Sequence, residues 1–270
     1  MTLVNGEPTQ CLDAADRGLQ YGDGVFETLA VRDGIPAHWD RHMARLREGC
    51  ARLGIEPPAP ELLRREAHQE CGASARGVLK LIVTRGSGGR GYRIPVPSRP
   101  ARILSLHPWP DYPSDWQCDG IAMRVCVTRW SLNPALAGIK HLNRLEQVLA
   151  RSEWDNPDIA EGLMLNSRGQ VISGTMTNIF VVQDDALITP DLAECGICGI
   201  TRARVLEAAA DLGMDCRVLP LDLEQLLRAR ELFVCNSVAG IWPVRKLEQV
   251  SFAAGSATRQ LTQALESRSS

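Results

Sequence analysis

Only three lysines, at positions 80, 140 and 246, stand among the 30 basic residues of the chain; the rest are arginines. An amine whose pKa is lowered by its surroundings can condense with a carbonyl, whereas a guanidinium stays protonated and cannot. Where arginine serves wherever a positive charge suffices, each retained lysine becomes a candidate for imine chemistry. Lys140 lies in Ala137-Gly138-Ile139-Lys140-His141-Leu142-Asn143-Arg144, a short run that opens onto a helix. The competing reading is a solvated lysine at a helix start, because charged side chains are mostly surface residues.

Three places have the chemistry to hold a phosphate. Gly199-Ile200-Thr201 enters a helix whose first amides have no partner within it, and such amides bind anions; an ordinary capped helix fits the same residues. Asn236-Ser237-Val238-Ala239-Gly240 follows an apolar strand and either forms a nest of amides or only turns the chain. Arg45 stands on a basic helix face beside His42, and such a face is commonly just solvated. The turn Arg85-Gly86-Ser87-Gly88-Gly89-Arg90-Gly91-Tyr92 lacks the Gly-Lys-Ser/Thr ending of a P-loop and has no helix behind it. It suits a mobile loop offering Arg90 and Tyr92 to a carboxylate. Cys195 and Cys198 have C-x-x-C spacing, but no second ligand pair accompanies them, so no metal site is expected. The nine cysteines are scattered and mostly have apolar neighbours, which argues against a disulfide framework.

Periodicity supplies the frame for these residues. Strands are expected over 25–32, 77–84, 101–106, 121–128, 161–166, 170–173, 177–183, 186–189 and 231–235, with Asp33-Gly34 and Asp184-Asp185 as hairpin turns. Three- and four-residue spacing predicts helices over 38–53, 61–71, 142–154, 201–212 and 222–229. The fold class is therefore mixed α/β (α+β). A small N-terminal domain spans 1–107, a linker marked by Pro108, Pro110 and Pro113 spans 108–118, and a larger C-terminal domain of strands with helices spans 119–270. Residues Glu266–Ser270 are expected to fray. A formal charge of −2 gives no pull toward nucleic acid or anionic lipid. Neither a membrane-spanning run nor a signal peptide is evident, so the expected location is the cytoplasm.

Taken in order, these residues resemble the fold-type IV pyridoxal-phosphate family, which includes branched-chain and D-amino-acid aminotransferases and aminodeoxychorismate lyases. The matching pieces are Asp16-Arg17-Gly18, Tyr21-Gly22-Asp23-Gly24-Val25-Phe26-Glu27-Thr28 and His42-Met43-Ala44-Arg45-Leu46, followed by the Lys140 segment. Thr177-Asn178-Ile179-Phe180, Gly199-Ile200-Thr201-Arg202 and Asn236-Ser237 before Pro243-Val244 complete the series. Each is weak alone, but seven in one order are specific. Gly86-Ser87-Gly88-Gly89-Arg90-Gly91-Tyr92 and the run from Ala137 to Gln147 look like the lyase branch, as does Thr28 in place of the glycine of branched-chain transaminases.

The resemblance implies pyridoxal 5'-phosphate carried by Lys140, and conversion of 4-amino-4-deoxychorismate to 4-aminobenzoate and pyruvate, a step of folate synthesis. It implies that Lys140 also moves a proton and that Thr28 relays one to the departing enol. Arg45, Ile200, Thr201 and Ser237 would hold the phosphate and Asn178 would brace it; Asn236, Arg90 and Tyr92 would meet substrate carboxylates. A homodimer is implied. One departure stands out: Ser173 occupies the place where the family commonly sets a glutamate against the pyridine nitrogen. A hydroxyl keeps the ring protonated less well, which weakens an aminotransferase reading more than the lyase reading. The alternatives are a D- or branched-chain aminotransferase and a silent protein that keeps the fold and cofactor.

Overall fold

Val25, Leu29 and Val31 are fully buried while Phe26 and Thr28 between them are not, so the strand they occupy has one face in a core and one face open. The computed structural model describes residues 2–267. The chain divides into two compact units, one holding the residues up to Pro110 together with Ile139–Asn143, the other Asp111–Gly138 and the residues from Arg144 onward.

The first unit contains β1 (Thr2–Val4), β2 (Glu7–Pro8), α1 (Arg17–Tyr21), β3 (Gly24–Arg32), β4 (Ile35–Pro36), α2 (Trp39–Leu53), α3 (Pro60–Cys71), β5 (Arg76–Thr84) and β6 (Ala101–Pro108). Its six strands form one antiparallel sheet in the order β2-β1-β6-β5-β3-β4. Helices α2 and α3 cover a single face, where Met43, Leu46, Cys50, Leu63 and Ala67 pack on Leu29, Leu79, Leu81 and Leu104. The register of β3 with β5 sets Phe26 opposite Ile82 and Thr28 opposite Lys80. Since cross-strand partners share a face, these four side chains lie together on the uncovered side. The expected Asp33-Gly34 turn is present, both residues having the positive φ that its geometry demands (48° and 76°).

The second unit contains β7 (Ile121–Val125), α4 (Leu145–Arg151), β8 (Ile159–Leu165), β9 (Val171–Gly174), β10 (Asn178–Gln183), β11 (Ala186–Pro190), α5 (Ile200–Asp211), β12 (Cys216–Leu219), α6 (Leu223–Leu227), β13 (Glu231–Asn236), β14 (Gly240–Leu247), β15 (Val250–Ser251) and α7 (Ser256–Ser267). Its mixed sheet runs β12-β11-β10-β13-β14-β7-β8-β9, with β15 on β14. Both faces are buried. Phe180, Val182 and Phe233 meet Val205 and Leu261 of α5 and α7 on one side, while Ile179, Val181, Val234 and Trp242 form a core on the other. That explains why these strands read as continuous apolar runs.

Several boundaries differ from the periodic expectation. The helix expected over 142–154 begins only at Leu145, because residues 140 and 142 hydrogen-bond to β3: the Phe26 amide donates to the Lys140 carbonyl at 2.9 Å, and the Leu142 amide to the Gly24 carbonyl at 3.0 Å. The strand expected over 121–128 stops at Val125, since the Val127 and Thr128 amides go to the Glu153 carboxylate (2.7 Å each). Strand β14 and helix α7 carry weak signals: β14 contains Pro243, and α7 buries only Thr258, Leu261 and Leu265. Helix α7 includes Glu266 and Ser267, so the fraying expected there does not begin at Glu266; residues 268–270 lie outside the described residues. Among the described residues no helix is long and apolar enough to cross a membrane.

Gly24 marks where β3 must admit the Lys140 segment. A Cβ there would stand 2.4 Å from the Val83 carbonyl oxygen and 2.8 Å from Leu142 Cδ1. Gly24→Ala is therefore expected to destabilise the chain by about 1–3 kcal/mol, read as a lowered urea midpoint with an unchanged slope.

Candidate active site

In the first unit, the pairing of residues 140 and 142 with β3 brings the Lys140 amine over the Phe26 ring, with Nζ 4.3 Å from its centroid. Thr28 is two residues further along the strand and shares the face of Phe26. Lys80 joins them: it pairs with Thr28 in register, and its Nζ is 5.7 Å from the same ring. Two of the three lysines thus flank one aromatic ring beside a hydroxyl. The aromatic face fixes where the amine stands, and a lysine amine so placed adds to a carbonyl in its unprotonated form.

The other face of β3 carries a buried charge. Glu27 receives Nδ1 of His42 at 2.6 Å and Arg45 through Nε at 2.8 Å and Nη2 at 2.5 Å. An ionised carboxylate only accepts, so His42 Nδ1 is the donor. Burial pushes the Glu27 pKa upward, but the Arg45 charge and the hydrogen bonds from His42 and Arg45 outweigh it and hold the carboxyl below its ordinary value. Arg45 is therefore oriented from within its own unit by a fork of two bonds to one carboxylate.

The motifs Asp16-Arg17-Gly18 and Tyr21-Gly22-Asp23-Gly24 are scaffold. Asp16 caps α1 through the Gly18 and Leu19 amides and accepts from Thr84 Oγ1 at 2.7 Å. Arg17 and Arg85 both grip Asp23, with Nε contacts of 2.9 and 2.7 Å. Arg85 also closes the end of α2 through the Leu53 and Gly54 carbonyls. Arg17 donates to the carbonyls of Gly91 and Tyr92, and the Tyr92 ring meets Tyr21 edge-on at 5.5 Å. The glycine-rich loop is thereby held on α1, with the Arg90 side chain exposed and Tyr92 85% exposed within this unit.

In the second unit the candidate anion cradle is the start of α5. Its N-cap is Gly199, and no side chain caps it. A Cβ on Gly199 would stand 2.1 Å from Asn178 Oδ1, and Asn178 Nδ2 donates to the Ile197 carbonyl at 2.9 Å. Asn178 thus braces the loop into the helix, leaving the Ile200 and Thr201 amides without intrahelical acceptors. Asn178 pairs with Cys235, which puts the Asn236–Ser237 turn at the same end of the sheet. Asn236 Oδ1 accepts from the Val238 and Ala239 amides (2.9 and 2.7 Å), shaping that turn. Ser173 is 4% exposed on β9; its hydroxyl accepts from Trp130 Nε1 at 3.1 Å and donates to the Gly174 carbonyl at 2.8 Å. Each unit thus offers one element by itself: the first an amine on an aromatic face, suited to an aldehyde, and the second a helix start that only glycine can cap, suited to a phosphate.

Lys80, Glu27, His42 and Trp130 are absent from the sequence-derived site. Lys80 was legible as one of the three lysines, but its place opposite Thr28 needed the strand register. Cys195 is buried, its thiol pushed up to about 11 by burial, while Cys198 is exposed.

The amino-transferase class IV family model matches residues 24–247. The chain is 36% identical over 265 residues to the aminodeoxychorismate lyase of Vibrio harveyi, covering 97% of this chain and 98% of that one. It is 28% identical over 260 residues to the D-alanine aminotransferase of Bacillus licheniformis, with 94% and 90% covered. Among solved structures, the 4-amino-4-deoxychorismate lyase of Pseudomonas aeruginosa superposes with a TM-score of 0.95 at 47% identity, over 99% of this chain and 98% of that one.

Removing the Glu27 charge would leave Arg45 and His42 facing a neutral amide. Glu27→Gln is expected to cost about 3–5 kcal/mol at pH 7. Because the Glu27 pKa is lowered on folding, its stabilisation is complete above the ordinary glutamate range and is lost progressively as pH falls from that range through the lower folded-state value. The variant should therefore lose part of the wild-type slope of stability on the acid side, checked by urea unfolding at several pH values below neutrality.

Proposed function

We propose a function from one premise: the chain belongs to the amino-transferase class IV family. It is a pyridoxal 5'-phosphate enzyme, a carbon–oxygen lyase that eliminates pyruvate from 4-amino-4-deoxychorismate and leaves 4-aminobenzoate, a folate precursor. The names of similar proteins, aminodeoxychorismate lyase and 4-amino-4-deoxychorismate lyase, support this reading. The observation that carries the reading is the amine of Lys140 over Phe26, on the sheet face that bears Thr28.

Bound pyridoxal phosphate supplies the electron sink for the charge left on the substrate carbon. Lys140 carries the cofactor, and its released amine takes the proton from the amine-bearing ring carbon. Loss of that proton and of the adjacent enolpyruvyl ether makes the ring aromatic, which drives the elimination. Thr28 passes a proton to the methylene carbon of the departing enol, giving pyruvate. Arg45, the Ile200 and Thr201 amides, the Thr201 hydroxyl and Ser237 hold the phosphate, Asn178 braces them, and Ser173 meets the ring nitrogen.

The substrate carries two carboxylates, and Asn236, Arg90 and Tyr92 contact them. Lys80 is a further cation for this task, since it lies beside Thr28. The exposure of Arg90 and Tyr92, together with the exposed apolar row Leu145, Val148 and Leu149 on α4, supports a homodimer in which that loop serves the second copy. The two units act as the small and large domains, with residues 108–118 as linker, and the enzyme works in the cytoplasm.

Purified protein should be yellow, carrying the visible absorbance band of a cofactor bound to an amine. Borohydride should abolish that band and leave the label on Lys140, and Lys140→Ala should lose both the colour and 4-aminobenzoate formation. Recovery of the label only on Lys80 or Lys246, or turnover of D-alanine with 2-oxoglutarate and none of aminodeoxychorismate, would reverse the reading.

Lys80→Met is expected to raise KM for aminodeoxychorismate about tenfold or more, as for loss of a charged hydrogen bond, with kcat nearly unchanged. Steady-state kinetics on both variants separates the two lysines.

A further inference from the structure

Ser173 is not an isolated hydroxyl. A serine oxygen has one proton to give and two lone pairs to receive with. The proton goes to the Gly174 carbonyl at 2.8 Å, and Trp130 Nε1 fills one lone pair at 3.1 Å. One acceptor position remains. An indole N–H only donates, so Trp130 cannot exchange roles with the serine.

The surroundings keep this arrangement fixed. Trp130 is itself buried, packed with Cys126, Trp154, Met164 and Ile172. The Arg144 guanidinium lies over its ring, 5.4 Å from the centroid. A cation on that face draws electron density from the indole and makes its N–H a better donor. Burial keeps Arg144 poorly solvated, lowering its pKa to about 10, still well above neutrality. On the other side, Glu161 pins the turn after Ser173. Its carboxylate accepts from the Thr175 amide at 2.9 Å, from the Thr175 hydroxyl at 2.5 Å and from Thr177 Oγ1 at 3.0 Å. A Cβ on Gly174 would stand 2.1 Å from Thr177 Oγ1, so only glycine fits at the residue whose carbonyl receives the Ser173 proton.

We propose that Trp130 is a positioning residue for Ser173, whose hydroxyl its indole N–H fixes as an acceptor-only, uncharged partner for the cofactor's ring nitrogen. The proposal rests on the reading that Ser173 meets that nitrogen. A protonated ring nitrogen finds an acceptor here but no opposite charge: the serine oxygen is neutral, so the bond lacks the ion-pair attraction that a carboxylate would add to hold the proton. An unprotonated nitrogen finds no donor unless the hydroxyl leaves Gly174. The chain thus keeps the direction of the hydrogen bond that a carboxylate would provide and gives up its strength. Aromatisation of the product makes less demand on the electron sink than transamination does. The Arg144–Trp130–Ser173 series is therefore a specificity device favouring elimination.

The test uses protein reconstituted with cofactor labelled with 15N at the ring nitrogen, in wild type, Trp130→Phe, Ser173→Ala and the double variant. Trp130→Phe should shift the ring 15N resonance toward the value of unprotonated pyridine and lower the pH midpoint of that resonance. The double variant should match Ser173→Ala alone, because Trp130 acts only through the serine. A Trp130→Phe resonance coincident with wild type, or a shift that persists at full size without the serine, overturns the proposal.

The indole signal of Trp130 gives a second readout in protein without cofactor, independent of the function proposed and of whether Trp130→Phe folds. Ser173→Ala should speed exchange of that N–H about three- to tenfold, as for loss of a neutral hydrogen bond, and unchanged exchange overturns the positioning role. If the wild type carried no cofactor on Lys140 while the indole signal still responded to Ser173→Ala, the functional reading and the cofactor part of the proposal would fail, leaving the Trp130–Ser173 bond alone.

Discussion

Two backbone hydrogen bonds carry the arrangement of the first unit. The Phe26 amide donates to the Lys140 carbonyl, and the Leu142 amide donates to the Gly24 carbonyl. Together they make one isolated antiparallel bridge, His141 opposite Val25 at the beginning of β3, though Lys140 lies 114 positions beyond Phe26 in the chain. A strand pairing fixes which side of the sheet each side chain takes, since neighbouring residues point to opposite faces. It sends the Lys140 amine to Phe26 and delays the following helix to Leu145. Glycine at position 24 is the steric condition, because any Cβ there would strike the Val83 carbonyl and Leu142.

Within each unit, carboxylates drawn away from water are tied down by several partners at once. Asp23 is held by two arginines, Glu27 by Arg45 and His42, Glu161 by backbone amides and two threonine hydroxyls, and Glu231 by the first turn of α7. A buried carboxylate with one weak partner would lose more in desolvation than it gained. Arginine is suited to the task, for its fork can bond a carboxylate twice or bridge a carboxylate and a carbonyl. Arg45 does the first with Glu27, and Arg85 does the second with Asp23 and the end of α2. The arginine-rich composition is thus put to structural use inside the protein, while Lys140 and Lys80 gather at one aromatic ring.

Much of this was legible in order and type. Apolar alternation located β3, β5 and β6, and helical spacing located α2, α3 and α5 to within a residue or two. The order of the motifs was enough to identify the family before any geometry. Legibility failed where side chains compete with the backbone or where burial is slight. Glu153 takes amides that periodicity assigned to a strand, Pro243 hides the strand β14, and α7 shows only three buried positions. Gly199 read as a helix entry, but Asn178 standing where its Cβ would go was not readable.

The sequence by itself determined that an amine would be kept at position 140, that the chain would alternate strands and helices, and that glycine would stand at the starts of β3 and α5. These follow from local rules of residue chemistry, spacing and steric allowance. Only the tertiary structure decided that Lys80 lies across from Thr28, that Glu27 and His42 hold Arg45, and that Trp130 occupies the hydroxyl of Ser173. The physical reason is that strand register and the burial of a hydrogen-bond donor depend on residues 15 to more than 50 positions apart, and nothing in either partner's own neighbourhood specifies the other.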